Sequence, residues 1–311
     1  ERAALAGTSL EMGIPPLTDI KGIGQTRAEQ LNQLGLGSIA TLAEADPERV
    51  AADMKGMSVE QAHDLIAEAK AQMLLAEATQ APLVSCVMPT YNRPLFVPKA
   101  VEYFLRQDYP HRELIIVDDG TDSIGHLVTD DERIHYIHLE DKLTIGAKMN
   151  VGCEVASGAI IARWEDDVWM DYWRLSYQVA ALLKHQADIC GVDNFLHYDV
   201  INQSAWHSTR PPGTRPWMLG STLCFTQAYW ARNPFLDVNL GDEIHFIRSE
   251  RTAKIFNLQA VTFLVDIIHG GNTAPKDTSS DRWHAYPVEE IQGLMGSDWS
   301  FYLELSQLIS L

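Results

Sequence analysis

Two apolar segments of the chain each end in neighbouring acids, and these acids are the side chains best suited to chemistry. Residues 114–117 are followed by Asp118 and Asp119, and residues 158–164 are followed by Glu165-Asp166-Asp167. A buried strand of an α/β sheet is a continuous hydrophobic run, and such sheets bind ligands at the carboxyl ends of their strands. Because carboxylates are costly to bury unpaired, the two segments predict one polar crevice for a cation and a polar ligand.

Length and composition allow one large domain with a sizeable core and a second, small one. The chain has 311 residues, 46% of them hydrophobic, and a net charge of −18. That charge argues against a surface that coats nucleic acid, which needs a basic patch. No apolar run reaches the length of a membrane span and no signal peptide is recognisable, so a cytoplasmic protein is expected. The four cysteines lack C-x-x-C spacing and are expected to be buried, reduced thiols.

The first part of the chain, residues 1–79, is predicted to be a small helical domain. Gly22-Ile23-Gly24 precedes leucines at helical spacing. Ser58 and Gln61 form a capping-box pattern ahead of a helix predicted over residues 59–77. The expected core comprises Leu31, Leu34, Leu42, Val59 and Leu65.

This segment resembles helix-hairpin-helix domains through Gly22-Ile23-Gly24 and the leucine pattern. Many such domains bind DNA phosphates through the amides of the hairpin. Residues 17–77, however, carry five Lys and Arg against ten Asp and Glu, a net charge of −5. Because phosphate binding needs positive charge, a structural or protein-docking role is favoured, with nucleic acid as the alternative.

The second part, residues 80–311, is predicted to have an α/β fold. A strand over 83–88, a helix over 97–107 and a strand over 114–117 make a βαβ unit. Helices are also predicted within 143–156 and over 171–184. Further strands are predicted over 133–139, 158–164, 189–192, 195–198, 219–226, 260–263 and 265–269.

Four motifs in this order resemble the family-two inverting glycosyltransferases of GT-A fold. They are Pro89-Thr90-Tyr91-Asn92-Arg93, Gln107-Asp108-Tyr109, Val117-Asp118-Asp119-Gly120 and Glu165-Asp166-Asp167. The resemblance spans about residues 83–276. It implies a Rossmann-like mixed sheet flanked by helices, which binds a nucleoside-diphosphate sugar.

The resemblance also implies a nucleotide site. Tyr91 would lie against the base, and Asp119 would accept a hydrogen bond from a base N–H. Lys148, in the stretch 146–150, would contact the nucleotide or diphosphate, with a solvent-exposed lysine as the alternative. The implied nucleotide-binding set is Pro89, Tyr91, Arg93, Asp118, Asp119, Lys148 and Asp166.

Glu165-Asp166-Asp167 stands where the family carries Asp-x-Asp, with Glu165 in place of the first Asp. A hard divalent cation, Mn²⁺ or Mg²⁺, held by Asp167 would neutralise a diphosphate. Asp166 would then be a ribose or supporting partner. The resemblance makes His269 a second metal ligand, the alternative being a hydrogen-bonded structural histidine, and places Lys276 near the diphosphate.

The catalytic base is expected at Asp242-Glu243, where the family has Glu-Asp before a helix. Glu243 aligns with the usual base. Asp242 is the alternative if the turn is shifted by one residue, and both acids could instead simply stabilise the start of a helix.

The resulting hypothesis is a metal-dependent inverting glycosyltransferase. Its donor would be a nucleoside-diphosphate sugar, with a UDP-sugar favoured, and its acceptor a hydroxyl of a glycan, a protein or, less favoured, DNA. Residues 17–77 would dock a protein partner. A nucleotidyltransferase is disfavoured because residues 89–94 lack a glycine-rich basic loop. A helix-hairpin-helix adaptor fused to a non-catalytic sugar-nucleotide-binding domain is the other alternative, which Asp119, Asp167 and Glu243 argue against.

Overall fold

A computed structural model describes residues 17–20, 22–210, 217–274 and 276–309. The chain divides into two compact units, Glu1–Ala81 and Pro82–Leu311. Each unit has its own core, and the two are described separately below. None of the helices within the described residues has the length and apolar content of a membrane span.

The first unit is helical, as predicted. Its helices are α1 (Gln25–Gln33), α2 (Ile39–Ala43), α3 (Pro47–Asp53) and α4 (Val59–Gln80). The capping box of α4 is confirmed, since Gln61 N–H donates to Ser58 Oγ and Ser58 N–H donates to Gln61 Oε1. Leu31, Leu42 and Leu65 lie in the buried core of this unit.

Two of the expected core residues are instead exposed. Leu34 follows the last residue of α1 and is 37% exposed, and Val59 begins α4 and is 45% exposed. Gly35, at a φ of +77°, reverses the chain, and Leu36 N–H donates to Leu31 O. This geometry is a Schellman ending, which brings Leu36 rather than Leu34 against the core.

The second unit alternates strands and helices around two sheets. Its strands are β1 (Val84–Thr90), β2 (Arg112–Asp118), β3 (Ile134–His138), β4 (Ile160–Arg163), β5 (Val168–Met170), β6 (Ile189–Gly191), β7 (Phe195–Asp199), β8 (Ser204–Ser208), β9 (Cys224–Thr226), β10 (Ile255–Asn257), β11 (Leu264–Ile268) and β12 (Trp283–Tyr286). Its helices are α5 (Val97–Leu105), α6 (Ile145–Val155), α7 (Arg174–His185), α8 (Gln227–Arg232), α9 (Asp242–Arg248), α10 (Val288–Met295) and α11 (Trp299–Ile309).

The larger sheet sets the position of the predicted crevice. Its strand order is β10-β6-β9-β4-β1-β2-β3, and the smaller sheet has the order β12-β8-β7-β11-β5. In the larger sheet β1 lies between β2 and β4 and is parallel to both. Their carboxyl ends, which carry the two groups of acids, therefore meet at one edge. β9 is antiparallel to β4, so the sheet is mixed as predicted.

Two of the predicted strands differ in the structure. Residues 260–263 form no strand; Phe263 is buried, and its carbonyl accepts from Asp171 N–H. Within 219–226, Gly220–Thr222 is a 3₁₀ turn and only Cys224–Thr226 is a strand. Residues 220–225 are buried, whereas of residues 260–263 only Phe263 is buried, and a short apolar run does not by itself specify a strand. The four cysteines are buried free thiols, as predicted.

Candidate functional site

A cleft of about 460 Å³ opens at the carboxyl ends of β1 and β4 and at the start of α9. Most of the predicted site residues line it, whereas Asp118, Asp119 and His269 do not. The predicted residues in its wall are Pro89, Tyr91, Arg93, Lys148, Asp166, Asp167, Asp242 and Glu243. Arg163, Glu165, Asp266 and Lys276 complete the charged part of the wall.

The loops after β1 and β2 are locked together on one side of this cleft. Asn92, at a φ of +52°, accepts a hydrogen bond from Thr121 N–H at its Oδ1. A Cβ at Gly120 would lie 2.8 Å from Asn92 Oδ1 and 2.9 Å from Asp118 Oδ1. Only glycine fits this approach, which fixes Tyr91 at the mouth of the cleft. The ammonium of Lys142 lies 3.5 Å from the centre of the Tyr91 ring.

Asp118 and Asp119 have different surroundings. The Asp118 carboxylate accepts from Gly120 N–H at 2.8 Å and from the Tyr136 hydroxyl at 2.6 Å. Asp118 is fully buried and holds the turn of its own loop. Asp119 accepts from Lys148 Nζ at 2.6 Å and from a backbone N–H in the next loop. Lys148 also donates to the carbonyl of Thr90. Lys148 is therefore a buried ion-pair partner and not the solvent-exposed lysine of the alternative.

We expect Lys148→Met to lower the free energy of unfolding by about 3–5 kcal/mol, because it leaves Asp119 charged, buried and unpaired. Tryptophan fluorescence during urea unfolding measures this, since all eight tryptophans follow residue 82. The Lys148→Met/Asp119→Asn double variant should be more stable than the single one. Equal stability of wild type and Lys148→Met would show that the pair contributes nothing.

Helix α6, which carries Lys148, also holds the loop that leads into α9. Asn150 donates from Nδ2 to the carbonyl of Phe235 and accepts from its N–H. A Cβ at Gly146 would lie 1.8 Å from the carbonyl oxygen of Leu236, so only glycine lets this loop approach. Further hydrogen bonds join Thr144 to Asp237 and Ile145 to Asn239.

Asp166 and Asp167, which follow β4, both lie close to the guanidinium of Arg93 in the loop after β1. Arg93 Nη1 lies 2.6 Å from Asp167 Oδ2 and 3.6 Å from Asp166 Oδ1. Asp166 accepts from the Thr90 hydroxyl at 2.6 Å, and burial raises the pKa of Asp166 to about 6. Burial also acts to raise the pKa of Asp167, but the His269 hydrogen bond and the Arg93 charge outweigh it, so this pKa lies below its usual range.

The structure brings His269 to Asp167, across 102 residues of sequence. His269 Nε2 lies 3.0 Å from Asp167 Oδ2, and Gly271 N–H donates to His269 Nδ1. With Nδ1 accepting, a neutral imidazole carries its proton on Nε2, and this N–H donates a hydrogen bond to Asp167. Arg93 Nη1 lies 3.3 Å from the same Nε2.

This arrangement fits a divalent cation at Asp167. Neighbouring ligands of an octahedral Mg²⁺ lie about 3.0 Å apart, given metal–oxygen distances of about 2.1 Å. The 3.0 Å separation of Asp167 Oδ2 and His269 Nε2 equals that spacing, although it is also the length of the hydrogen bond between them. His269 could bind only after its proton moved to Nδ1, so Asp167 is the better-placed ligand. Arg93 Nη1 would compete with the cation for both atoms.

No cluster of three or more His, Cys, Asp or Glu side chains is arranged around a metal position in the part of the chain that the structure describes. A cation here would therefore need phosphate or water oxygens to complete its coordination.

The two candidate base residues also differ. Asp242 is buried, and its Oδ2 accepts from Arg163 Nη1 at 2.6 Å. Glu243, next to it on α9, lines the cleft and is only half-buried. Burial raises the pKa of Glu243, the Arg163 charge opposes this rise, and the Asp242 charge adds to it. A raised pKa makes Glu243 a stronger proton acceptor than an ordinary glutamate.

Arg163 and Asp266 are charged wall residues that the sequence did not single out. Arg163 Nε donates to Glu165 Oε1 at 3.1 Å, so Glu165, the unusual first acid of its motif, faces Arg163. Asp266 lies 2.6 Å from Lys276 Nζ and 2.9 Å from His197 Nδ1. Lys276 is thus paired within the protein. The available signal was a charged residue inside an apolar strand, at position 163 and again at 266.

Comparison with known proteins agrees with this geometry. The family profile described as "Glycosyl transferase family 2" matches residues 85–241, and the profile "SAM-like Helix-hairpin-helix tandem" matches residues 14–71. The glycosyltransferase GlyG of Streptococcus pneumoniae is 30% identical over 122 residues, which cover 38% of this chain and 40% of that protein. The first curated relatives are matched over only about two fifths of their length.

Two further proteins are similar to this chain, one in sequence and one in structure. The Escherichia coli protein named UDP-Glc:alpha-D-GlcNAc-diphosphoundecaprenol beta-1,3-glucosyltransferase WfgD is 28% identical over 127 residues, which cover 40% of this chain and 48% of that protein. The solved structure of the mannosyltransferase PcManGT from Pyrobaculum calidifontis, in complex with GDP-Man and Mn²⁺, has a TM-score of 0.50 at 18% identity. It covers 61% of this chain and 58% of its own, and the likeness confirms the GT-A fold.

Proposed function

Because the chain belongs to glycosyl transferase family 2, we propose that it transfers a sugar from a nucleoside-diphosphate sugar to an acceptor hydroxyl, with inversion at the anomeric carbon. One observation carries the proposal: Asp167 and Glu243 line the same cleft. Asp167 lies beside the loop after β1, which is expected to bind the nucleotide, and Glu243 lies at the start of α9. A leaving diphosphate and an attacking hydroxyl need these two kinds of carboxylate at one place.

The proposed base is Glu243. It would accept the proton of the acceptor hydroxyl as that oxygen attacks the anomeric carbon, while the bond to the diphosphate breaks on the opposite face. Asp242 is less suited to this role because its carboxylate is bound to Arg163. Of the two assignments that the sequence left open, the contacts thus favour Glu243.

The proposed donor site lies between Tyr91 and Asp167. Tyr91 would stack on the base, Asp119 would accept from a base N–H, and Pro89, Arg93, Lys148 and Asp166 would support the ribose and phosphates. Asp118 would act by holding the turn that carries Asp119. Asp167, with His269, would hold Mn²⁺ or Mg²⁺, and a bound cation would supply charge neutralisation at the leaving diphosphate.

A UDP-sugar is the proposed donor, which the name of the E. coli relative supports. The acceptor class stays open among glycans, proteins and DNA. The net charge of −5 in residues 17–77 favours a protein partner over nucleic acid for the helical unit.

A donor screen tests the proposal. The full chain is incubated with UDP- and GDP-sugars and Mn²⁺ or Mg²⁺, and release of nucleoside diphosphate is measured with candidate acceptors. Proton NMR of the product reports the anomeric configuration. We expect turnover of one donor class and an inverted product. A retained configuration would overturn the inverting mechanism, and absence of turnover with every donor would overturn the activity.

The α/β unit alone should retain donor chemistry. We expect a fragment of residues 82–311 to fold and to hydrolyse the donor at a rate within a few-fold of the full chain, because the described cleft is lined only by residues of this unit. Circular dichroism and donor hydrolysis measure the two properties. A folded fragment without donor turnover would show that the helical unit takes part in the reaction.

A further inference from the structure

Arg163 is a buried cation shared by two elements of the cleft. It is the last residue of β4, a strand whose other members are apolar, and it is 5% exposed. Its Nη1 lies 2.6 Å from Asp242 Oδ2 on α9, and its Nε lies 3.1 Å from Glu165 Oε1. A guanidinium is costly to bury without such partners. The pairing therefore joins the end of β4 to the start of the helix that carries Glu243.

The backbone around Arg163 is fitted to this position. A Cβ at Gly220 would lie 3.1 Å from the central guanidinium carbon of Arg163 and 3.2 Å from its Nη1. Glycine at this position lets the guanidinium lie against the 3₁₀ turn. The carbonyl of Arg163 also accepts from Arg174 Nη2 at 2.7 Å, which fixes the strand end.

We propose, on the basis of the proposed function, that Arg163 is a positioning residue: it holds the Asp242 carboxylate in an ion pair and so leaves Glu243 as the one carboxylate of α9 that takes the acceptor's proton. Two adjacent carboxylates in a half-buried place cannot easily both stay ionised, because each disfavours the charge of the other. The Arg163 charge offsets that repulsion. Without it, a proton would settle on the acid pair, and a protonated Glu243 cannot act as a base.

The charges that face Glu243 come from several elements. Asp242 lies on α9 itself, Arg163 on β4, and Arg210 in the segment after β8. Glu165, in the loop after β4, acts on Arg163 and through it on the pair. Arg163 is the cation bonded directly to the neighbour of Glu243, which makes it the one whose removal changes the pair most.

The test is the titration of Glu243 in Arg163→Met, monitored by carbon-13 NMR of the side-chain carboxyl carbon. The Glu243 signal is assigned with the Glu243→Gln variant. The Arg163 charge acts to lower the pKa of Glu243, and a nearby opposite charge shifts a carboxyl pKa by about 1–3 units, so the midpoint should rise by about one pH unit. In the transfer assay, the acid limb of the kcat–pH profile should move to higher pH by the same amount, so that kcat falls about 10-fold on that limb, recovers towards higher pH, and changes more than the donor KM.

Three further variants separate positioning from a structural role. Arg163→Lys keeps the positive charge, so the Glu243 titration midpoint should lie close to that of wild type. Arg163→Met/Asp242→Asn removes the unpaired neighbour, so the midpoint should return towards that of wild type. Arg112→Met is a control of similar burial, whose guanidinium donates to the backbone of Phe104, and it should destabilise the fold without moving the Glu243 midpoint.

An unmoved midpoint in Arg163→Met, or a double variant no better than the single one, would overturn the proposal. If Arg163→Met fails to fold, Arg163→Gln, which also removes the charge, takes its place with the same expected rise and the same overturning result. A wild-type chain that shows the expected titrations but transfers no sugar would overturn the proposed function, whereas the electrostatic role of Arg163 would stand.

Discussion

A Glu243→Gln variant is expected to bind donor as wild type does and to transfer sugar about 10²–10⁴-fold more slowly, which is the usual contribution of a general base. The amide has nearly the same shape but cannot take a proton. The loss should therefore appear in kcat, with the affinity for donor unchanged. Steady-state kinetics with calorimetry of nucleotide binding separates the two quantities.

Asp242→Asn is the matched control for this result. It weakens the ion pair with Arg163 but leaves Glu243 in place, so its loss should be smaller than that of Glu243→Gln. Normal turnover by Glu243→Gln beside an inactive Asp242→Asn would identify Asp242 as the base. Normal turnover by both would mean that the reaction occurs elsewhere.

Asp167→Asn is expected to lower cation-dependent nucleotide affinity by at least about 100-fold. Loss of a residue that merely supports a metal ligand costs about 10- to 100-fold, and loss of the ligand itself should cost no less. Asp167 also accepts hydrogen bonds from Arg93 and His269, and no other described carboxylate has the same contacts. Calorimetric titration of UDP and GDP, with Mn²⁺ and with chelator, measures the effect.

Two controls accompany this titration. Asp131→Asn removes an acid that is paired with Arg133, outside the cleft, and should bind as wild type does. Arg93→Gln removes the guanidinium that competes for Asp167 and that is proposed to support the phosphates, so the nucleotide affinity should fall while its dependence on Mn²⁺ remains. Nucleotide binding that is equally tight in chelator and in Mn²⁺ would contradict the metal assignment.

The sequence predicted correctly those parts of the fold that a single local pattern specifies. β1, α5 and β2 follow from apolar runs and helical spacing, and the capping box of Ser58 and Gln61 follows from a local motif. The burial of Leu34 was wrongly predicted because the helical spacing of apolar residues continues past Gly35 in the sequence, whereas the backbone reverses there. Residues 260–263 form no strand and only Phe263 of them is buried, and a short apolar run does not by itself specify strand pairing.

The sequence named residues that mostly line one cleft in the structure, but it did not give their contacts. Asp118 and Asp119 are adjacent and chemically alike, yet one closes a turn and the other pairs with Lys148, 29 residues further on. Arg163 and Asp242 are 79 residues apart, and neither segment alone implies the other. Such pairings depend on which loops meet at the sheet edge, which is a property of the tertiary fold.

The contacts of helix α6 have a consequence for engineering the cleft. One end of it is hydrogen-bonded to residues 235–239, ahead of α9, and its Lys148 is bonded to Asp119. Helix α6 therefore links the loop that carries Asp119 to the segment that leads into α9 and Glu243. A loop graft intended to change the acceptor would have to carry residues 144–150 together with 235–239 as a single cassette, with Gly146 retained, because the two backbones meet there without room for a side chain.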